Sequence, residues 1–312
     1  MALMRSMLLA ASQNVWLREH AVHYPFMRKS VSRFMPGETA AEALAAAQGL
    51  RAKSIGCVFT HLGENVADRE EARKVTQHYI DLIGRIHELG LDSEVSVKLT
   101  QLGLDFSADF CADNLEKIIQ CERPGATVWV DMEASSYVDS TLDIYRRALS
   151  KHPNVGICLQ AYLYRTKQDL ADLLSLRPSI RLVKGAYKEL ANVALPKKAD
   201  VDENYFALAQ EMLRAKAAGE CARAAFGTHD VALIRQLSEY ISQQSRNGLA
   251  KSDLEVQMLY GIQRAEQERL AREGSRSIVL VAYGSYWYPW FVRRLAERPA
   301  NLWFMVRNVF VS

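Results

Sequence analysis

Residues 277–301 read S-I-V-L-V-A-Y-G-S-Y-W-Y-P-W-F-V-R-R-L-A-E-R-P-A-N, and the opening of that stretch decides the fold. The run 278–282 is apolar and rich in β-branched side chains, with no polar residue to mark a solvated face. Such a run suits a strand buried on both faces, as in a parallel sheet covered by helices. Tyr283-Gly284-Ser285 ends it. An aromatic-rich helical segment follows, carrying Arg293, Arg294 and Glu297, with Pro299 just past its end. Two adjacent arginines in so apolar a segment fit poorly on a solvated face. Their planar forks of donors suit a carboxylate, so the pair reads as an anion clamp. One buried pair with Glu297 plus one surface arginine is the plain structural alternative.

Working back along the chain, seven more short apolar or β-branched runs appear, at 55–59, 95–99, 128–132, 155–160, 180–183, 224–226 and 254–258. Between them lie segments of helical periodicity, at 70–89, 108–120, 140–149, 167–174, 204–218 and 231–242. Eight strands alternating with helices predict a closed parallel barrel, and 312 residues is an ordinary length for one. The connection from the fifth run to the sixth carries an additional loop before its helix. An open doubly wound sheet competes, but it would normally show a G-x-G-x-x-G turn after an early strand, and none is present. Residues 1–50 read as a helical segment packed on the barrel domain of 51–312, with a break at Pro36-Gly37 and Thr39 placed to cap the alanine-rich run after it. The start M-A-L-M-R-S-M-L-L-A-A superficially resembles a signal peptide. Its apolar part is short, and amphipathic sequence continues through Trp16 and Leu17, so it reads as a helix.

The composition excludes several classes. A net charge of +3 with both signs interspersed leaves no nucleic-acid footprint. No apolar run reaches the roughly 18 residues of a membrane span. The five cysteines are scattered and never in C-x-x-C spacing, which predicts a reduced, cytoplasmic setting. The seven histidines form neither H-E-x-x-H nor H-x-H, so no metal site is expected. No G-x-S-x-G elbow marks a serine hydrolase.

Barrel enzymes place their chemistry at the C-terminal ends of their strands. Here those ends deliver His61 and Glu64; Lys98; Asp131 and Glu133; Gln160 and Tyr162; Arg181 and Lys184; Thr228, His229 and Asp230; Glu255, Gln257 and Tyr260; and Tyr283. Each has a bland reading alone. Lys98 could simply pair with Asp131, and His229 could be a satisfied core histidine. Polar groups at nearly every strand end exceed what packing requires, so the set reads as a site. Lys98, Arg181, Lys184, Arg293 and Arg294 together suit a small carboxylate, a phosphorylated cofactor, or both. A Schiff-base role for Lys98 or Lys184 is chemically open, as is plain electrostatic duty.

Several of these segments resemble the signatures of the proline dehydrogenase family. They are S-V-K-L-T-Q-L-G at 96–103, V-D-M-E at 130–133, Q-A-Y at 160–162 and R-L-V-K-G-A-Y at 181–187. G-T-H-D at 227–230, E-V-Q-M-L-Y-G at 255–261 and R-R-L-A-E-R-P-A-N at 293–301 complete the set, in the family's order. The chain is similar to the short, single-function bacterial form. The resemblance implies a distorted (βα)8 barrel with N-terminal helices and a C-terminal helix carrying the substrate arginines. It implies non-covalent FAD, hydride transfer from C5 of L-proline to the flavin N5 giving 1-pyrroline-5-carboxylate, and electrons passed to a membrane quinone. The implied enzyme is an oxidoreductase acting on CH–NH donors, cytoplasmic or peripheral on the inner face of the membrane.

Residue by residue, the resemblance makes Asp131 and Arg181 catalytic. Lys98, Arg293 and Arg294 hold the substrate carboxylate, and Glu297 orients Lys98 or one of the arginines. Glu64 gates the site by pairing with the first clamp arginine. Met132, Gln160, Arg181, Lys184, Gly185, Ala186, Tyr187, Thr228 and His229 contact the flavin, and Gly185 offers bare backbone for a close approach. The family's strand-eight pattern Y-V-P-Y-G reads L-V-A-Y-G at 280–284, so Leu280 replaces the tyrosine against the substrate ring and Ala282 a proline. Trp290 stands where the family has a second tyrosine. Both changes fall on the ring wall, which implies either altered ring recognition, admitting 4-hydroxyproline or pipecolate, or a refilled pocket that still takes proline. Two rival readings are another flavin barrel of the methylenetetrahydrofolate reductase kind and a non-catalytic barrel serving as a binding protein. The R-R-x-x-E-x-P-x-N run counts against the first, and the retained Asp131, Arg181, Lys98 and paired arginines count against the second.

Overall fold

The computed structural model describes residues 31–63, 66–288 and 290–292. Eight strands close into a barrel in chain order, β1 to β8, every neighbouring pair parallel. They are β1 (Gly56–His61), β2 (Ser93–Val97), β3 (Val128–Val130), β4 (Val155–Gln160), β5 (Ser179–Val183), β6 (Arg223–Gly227), β7 (Glu255–Leu259) and β8 (Arg276–Tyr283). Helix α1 (Ala40–Arg51) precedes the barrel. Helices α2 (Arg69–Glu88), α3 (Ala108–Cys121), α4 (Val138–Leu149), α5 (Thr166–Leu174), α6 (Lys198–Ala218), α7 (Val231–Gln243) and α8 (Arg264–Arg272) fill the connections. Thr39 caps α1 as expected, in a capping box with Glu42.

All eight apolar runs are strands. The second lies two residues earlier than its run suggests, because its ladder with β3 ends at Val97↔Val130 and the chain then turns, the Gln101 amide donating to the Lys98 carbonyl at 3.1 Å. Helix α6 starts at Lys198, six residues before the periodic segment. The loop before it is 184–197, held to the α5 side by a bridge between Leu163 and Ala194. Of the N-terminal segment, residues 1–30 lie outside the described residues, while α1 packs on β1 and β8.

Strand side chains alternate between two destinations. Outward positions such as Val95, Val97, Ile157, Leu159, Leu182, Phe226 and Val279 meet the apolar helix faces, including Leu82 and Ile83 of α2 and Leu115 and Ile118 of α3, in one continuous annular core. Inward positions include a separate plug of Val58, Trp129, Ala225 and Ile278. Trp129 fits because its neighbour on β4 is Gly156, where an added Cβ would come within 2.6 Å of the indole. The remaining inward positions are polar to an unusual degree, and they carry the site.

Candidate active site

The inward rows of β2, β3 and β5 converge just above the Trp129 plug. Lys98 leaves the end of β2, Asp131 the end of β3, and Arg181 points in from the middle of β5. Arg181 is only 3% exposed. Its guanidinium donates through Nη2 to Asp131 Oδ1 and to Ser96 Oγ (2.8 Å), and through Nη1 to Gln257 Oε1 (3.2 Å). The Ser96 hydroxyl in turn donates to Asp131 Oδ1 at 2.9 Å, and Lys98 Nζ lies 3.6 Å from Asp131 Oδ2. Burial works most strongly against the charged form of Arg181, but Asp131, Cys158 and Glu94 together outweigh it and hold the guanidinium above its usual range. One carboxylate therefore bridges two cations at the barrel mouth, an arrangement suited to holding fixed positive charge near a ligand.

The neighbouring strand ends build the walls. Glu133 accepts from the Thr100 hydroxyl (2.7 Å) and amide (3.1 Å), and burial pushes its carboxyl up. Gln160 donates its amide N–H to the Glu133 carbonyl at 2.7 Å, while its buried Oε1 has no partner. Tyr162 packs over Gly185, whose φ of +117° suits glycine and where a Cβ would approach the ring to 2.2 Å. Lys184 Nζ sits between Asp202 (2.5 Å) and Asp230 (3.0 Å), and Asp230 also caps α7 by accepting from the Ala232 amide. Thr228 is buried, and its hydroxyl accepts from the Asp230 amide at 3.1 Å. His229 Nε2 accepts from the Leu259 amide at 2.9 Å, which assigns the proton of the neutral ring to Nδ1. Met132 is buried, Tyr187 half-buried and Ala186 exposed.

At the end of β1, burial first, then His78 and Lys98, push His61 down to about 4, so it is neutral near pH 7. His61 lies ring to ring with His78 at 4.4 Å, and His78 Nε2 shares a 2.6 Å hydrogen bond with the Tyr283 hydroxyl. Leu280 and Trp290 share one apolar cluster with Leu62, Ala282, Trp287 and Phe291.

The proline dehydrogenase family model matches residues 43–307, nearly the whole barrel and the segment after it. The chain belongs to the proline dehydrogenase family. It is 37% identical over 311 residues to proline dehydrogenase 2 of Bacillus subtilis subsp. natto, covering 99% of both chains. It is 38% identical over 283 residues to the proline dehydrogenase of Deinococcus radiodurans, covering 89% of each. Its fold is similar to that of proline utilization A from Bdellovibrio bacteriovorus, with a TM-score of 0.80 at 23% identity, covering 95% of this chain and 36% of that one. At that identity the likeness speaks for the fold.

Within this family member, the structure brings Lys98, Asp131 and Arg181 together, and sets Gln160, Gly185 and Thr228 on adjoining strand ends. Lys184 is engaged by two carboxylates, Asp202 and Asp230, rather than directed singly at the mouth. Arg293, Arg294, Glu297 and Glu64 lie outside the described residues, as does the clamp they would form. Sequence reasoning passed over Ser96, Trp129 and Glu94, and left Gln257 without a role. For the polar ones the signal was available: 94 and 96 on β2, continued by 98 just past its end, and 255 and 257 on β7 set a polar residue at every second position. Among the described residues no His, Cys, Asp and Glu cluster is arranged to hold a metal, and no helix is long and apolar enough to cross a membrane.

Proposed function

We propose that this chain is an FAD-dependent dehydrogenase that oxidises L-proline to 1-pyrroline-5-carboxylate and passes the electrons to a membrane quinone. The observation that carries the reading is the Lys98–Asp131–Arg181 string at the mouth of the barrel, in a member of this family. The donor set suits a flavin. Gln160 Oε1 is a buried acceptor without a partner, which an N–H at a ring edge would satisfy. Arg181 presents a buried guanidinium. Met132, Gln160, Lys184, Gly185, Ala186, Tyr187, Thr228 and His229 would flank the cofactor, held without a covalent link. FAD, when bound, supplies the two-electron acceptor for the C5 hydrogen and relays the electrons onward.

The protein's own work is orientation and charge. Lys98, with Arg293 and Arg294, would hold the substrate carboxylate, Glu297 would orient one of them, and Glu64 would close the entrance against the first arginine. Asp131 contacts both Lys98 and Arg181, so one carboxylate would orient the substrate anchor and the flavin-side charge. The substrate amine must be unprotonated when its C5 hydrogen leaves. In this scheme 51–312 is the catalytic domain and 1–50 packs on it. The chain would work in the cytoplasm, at the inner membrane face when it meets its quinone.

Leu280 and Trp290, which stand where the family has tyrosines and share one apolar cluster, support a second reading of the substrate. A larger or substituted ring, pipecolate or 4-hydroxyproline, would fit such a wall. Turnover of L-proline, 4-hydroxyproline and pipecolate by the purified FAD-loaded protein decides between them. The first reading expects clear preference for proline. The second expects comparable or better turnover of an analogue, shifted toward proline by about 10-fold or more in Leu280→Tyr, the range such contacts discriminate. A proline preference unmoved by Leu280→Tyr would sink the second reading.

A further inference from the structure

Alongside the Trp129 plug the barrel interior also carries buried ions, and they are joined to Arg181 in a ring. Gln257, which accepts from Arg181 Nη1, donates its own amide N–H to Glu255 Oε1 at 2.8 Å. Glu255 is gripped by both arms of Arg223, Nε to Oε2 at 2.7 Å and Nη2 to Oε1 at 2.8 Å. Arg223 Nη1 reaches on to Glu94 Oε1 at 2.5 Å and Thr127 Oγ1 at 3.0 Å. The other oxygen of Glu94 accepts from Trp129 Nε1 at 2.9 Å. The Trp129 indole then lies against both guanidinium groups, 5.2 Å from Arg181 and 5.0 Å from Arg223. The path thus returns to the residue it started from. Arg181, Gln257, Glu255 and Glu94 are all buried, so these bonds are made away from bulk water, where a broken one is costly.

Such a network contributes little to stability compared with an apolar filling of the same volume. What it offers is fixity. The oxygen acceptors of the Arg181 guanidinium are themselves held: Asp131 by Ser96 and Lys98, Ser96 by Asp131, and Gln257 by Glu255, which Arg223 grips in turn. A guanidinium tied at Nη1, at Nη2 and across an aromatic face has no alternative rotamer to visit.

We propose that Ser96 and Gln257 are positioning residues for Arg181, anchored on the Glu94–Arg223–Glu255 cluster, and that this ring sets the redox poise of the flavin. The proposal rests on the flavin reading above. A preorganised positive charge stabilises the electron-rich form of the cofactor more than a mobile one does, because no reorganisation is needed when charge arrives. Loosening Arg181 therefore lowers the flavin's midpoint potential and slows its reduction, and at Gln257, which bonds to Arg181 and Glu255, it does so without disturbing the Asp131–Lys98 pair.

The test compares wild type, Gln257→Leu and Ser96→Ala as FAD-loaded full-length protein. Gln257→Leu removes one acceptor of Arg181 and keeps the volume apolar. Ser96→Ala removes a different acceptor at the loss of a single hydroxyl, and carries the test if the first variant does not fold. Both are expected to lower the midpoint potential by about 30 mV, a tenfold weaker hold on reduced relative to oxidised flavin. Both are expected to slow anaerobic flavin reduction by roughly tenfold, with the half-saturating proline concentration unmoved in Gln257→Leu, since Gln257 does not bond to Asp131. Loss of thermal stability with an unchanged potential and reduction rate would overturn the proposal and leave these residues purely structural. A wild type that takes up no FAD would overturn the flavin reading and this inference with it. FAD-loaded variants that match wild type would overturn the inference alone.

Discussion

Arg181→Met is expected to slow proline oxidation by about 10²–10³-fold, the usual cost of removing one preorganised electrostatic contact at a reacting centre. The chain should still fold, because Asp131 keeps Ser96 at 2.9 Å and Lys98 at 3.6 Å when the guanidinium is gone. Arg181→Lys should recover little. An ammonium is a compact charge on a flexible stem and cannot reach Asp131, Ser96 and Gln257 at once, nor lie flat against Trp129. Stopped-flow reduction of the FAD-loaded variants by excess proline measures both effects. A lysine variant at wild-type rate would show that positive charge alone suffices and that the planar fork is irrelevant.

Arg223→Met is expected to be the most destabilising single change inside the barrel, costing about 3–5 kcal/mol near pH 7. It leaves Glu94 and Glu255 buried without their shared cation, with Arg276, 3.4 Å from Glu255, the remaining ion-pair partner among the described residues. The pH dependence carries a sign that tests the cause. In the native protein burial raises Glu255, but Arg223, with Arg276 and Gln257, outweighs burial and holds the carboxyl below its usual range. A depressed carboxyl contributes stability that is full above the unfolded value of about 4.3 and is lost as pH falls through the lower native value. In the variant, desolvation acts without Arg223 and the carboxyl rises above the unfolded value, so the penalty is present at pH 7 and relieved on acidification. Urea unfolding at pH 7 and pH 5 should therefore find wild type little changed and Arg223→Met closer to wild type at pH 5. An equal loss at both pH values would show that the missing cation is not the cause.

The sequence made the barrel legible because each strand is buried on both faces, and eight short apolar runs separated by helical periodicity have few other uses. It missed α8, where Leu270 is the sole aliphatic residue of the buried face and charged residues dominate the rest. It started α6 late, because K-A-D-V-D-E carries too little apolar pattern to mark its first turns. The Lys98–Asp131–Arg181 string was legible as residue types at strand ends, but not as one bridging carboxylate, since register around a barrel is set by strand stagger rather than by spacing along the chain. The same reason hid the ring below it. Arg223 and Glu94 meet across the barrel from β6 and β2, although each is visible as a lone polar residue in an apolar strand. Lys184 gave no hint of Asp202, which the 184–197 loop and the start of α6 bring back to it.

The central claim is that the barrel mouth binds a flavin and reduces it with a cyclic amino acid. Anaerobic titration of the FAD-loaded protein with L-proline, followed by the visible absorption of the flavin, tests it most directly. Bleaching on addition of proline, with 1-pyrroline-5-carboxylate recovered in equal amount, is the predicted result. Bound flavin that stays oxidised with proline, 4-hydroxyproline and pipecolate alike would contradict it.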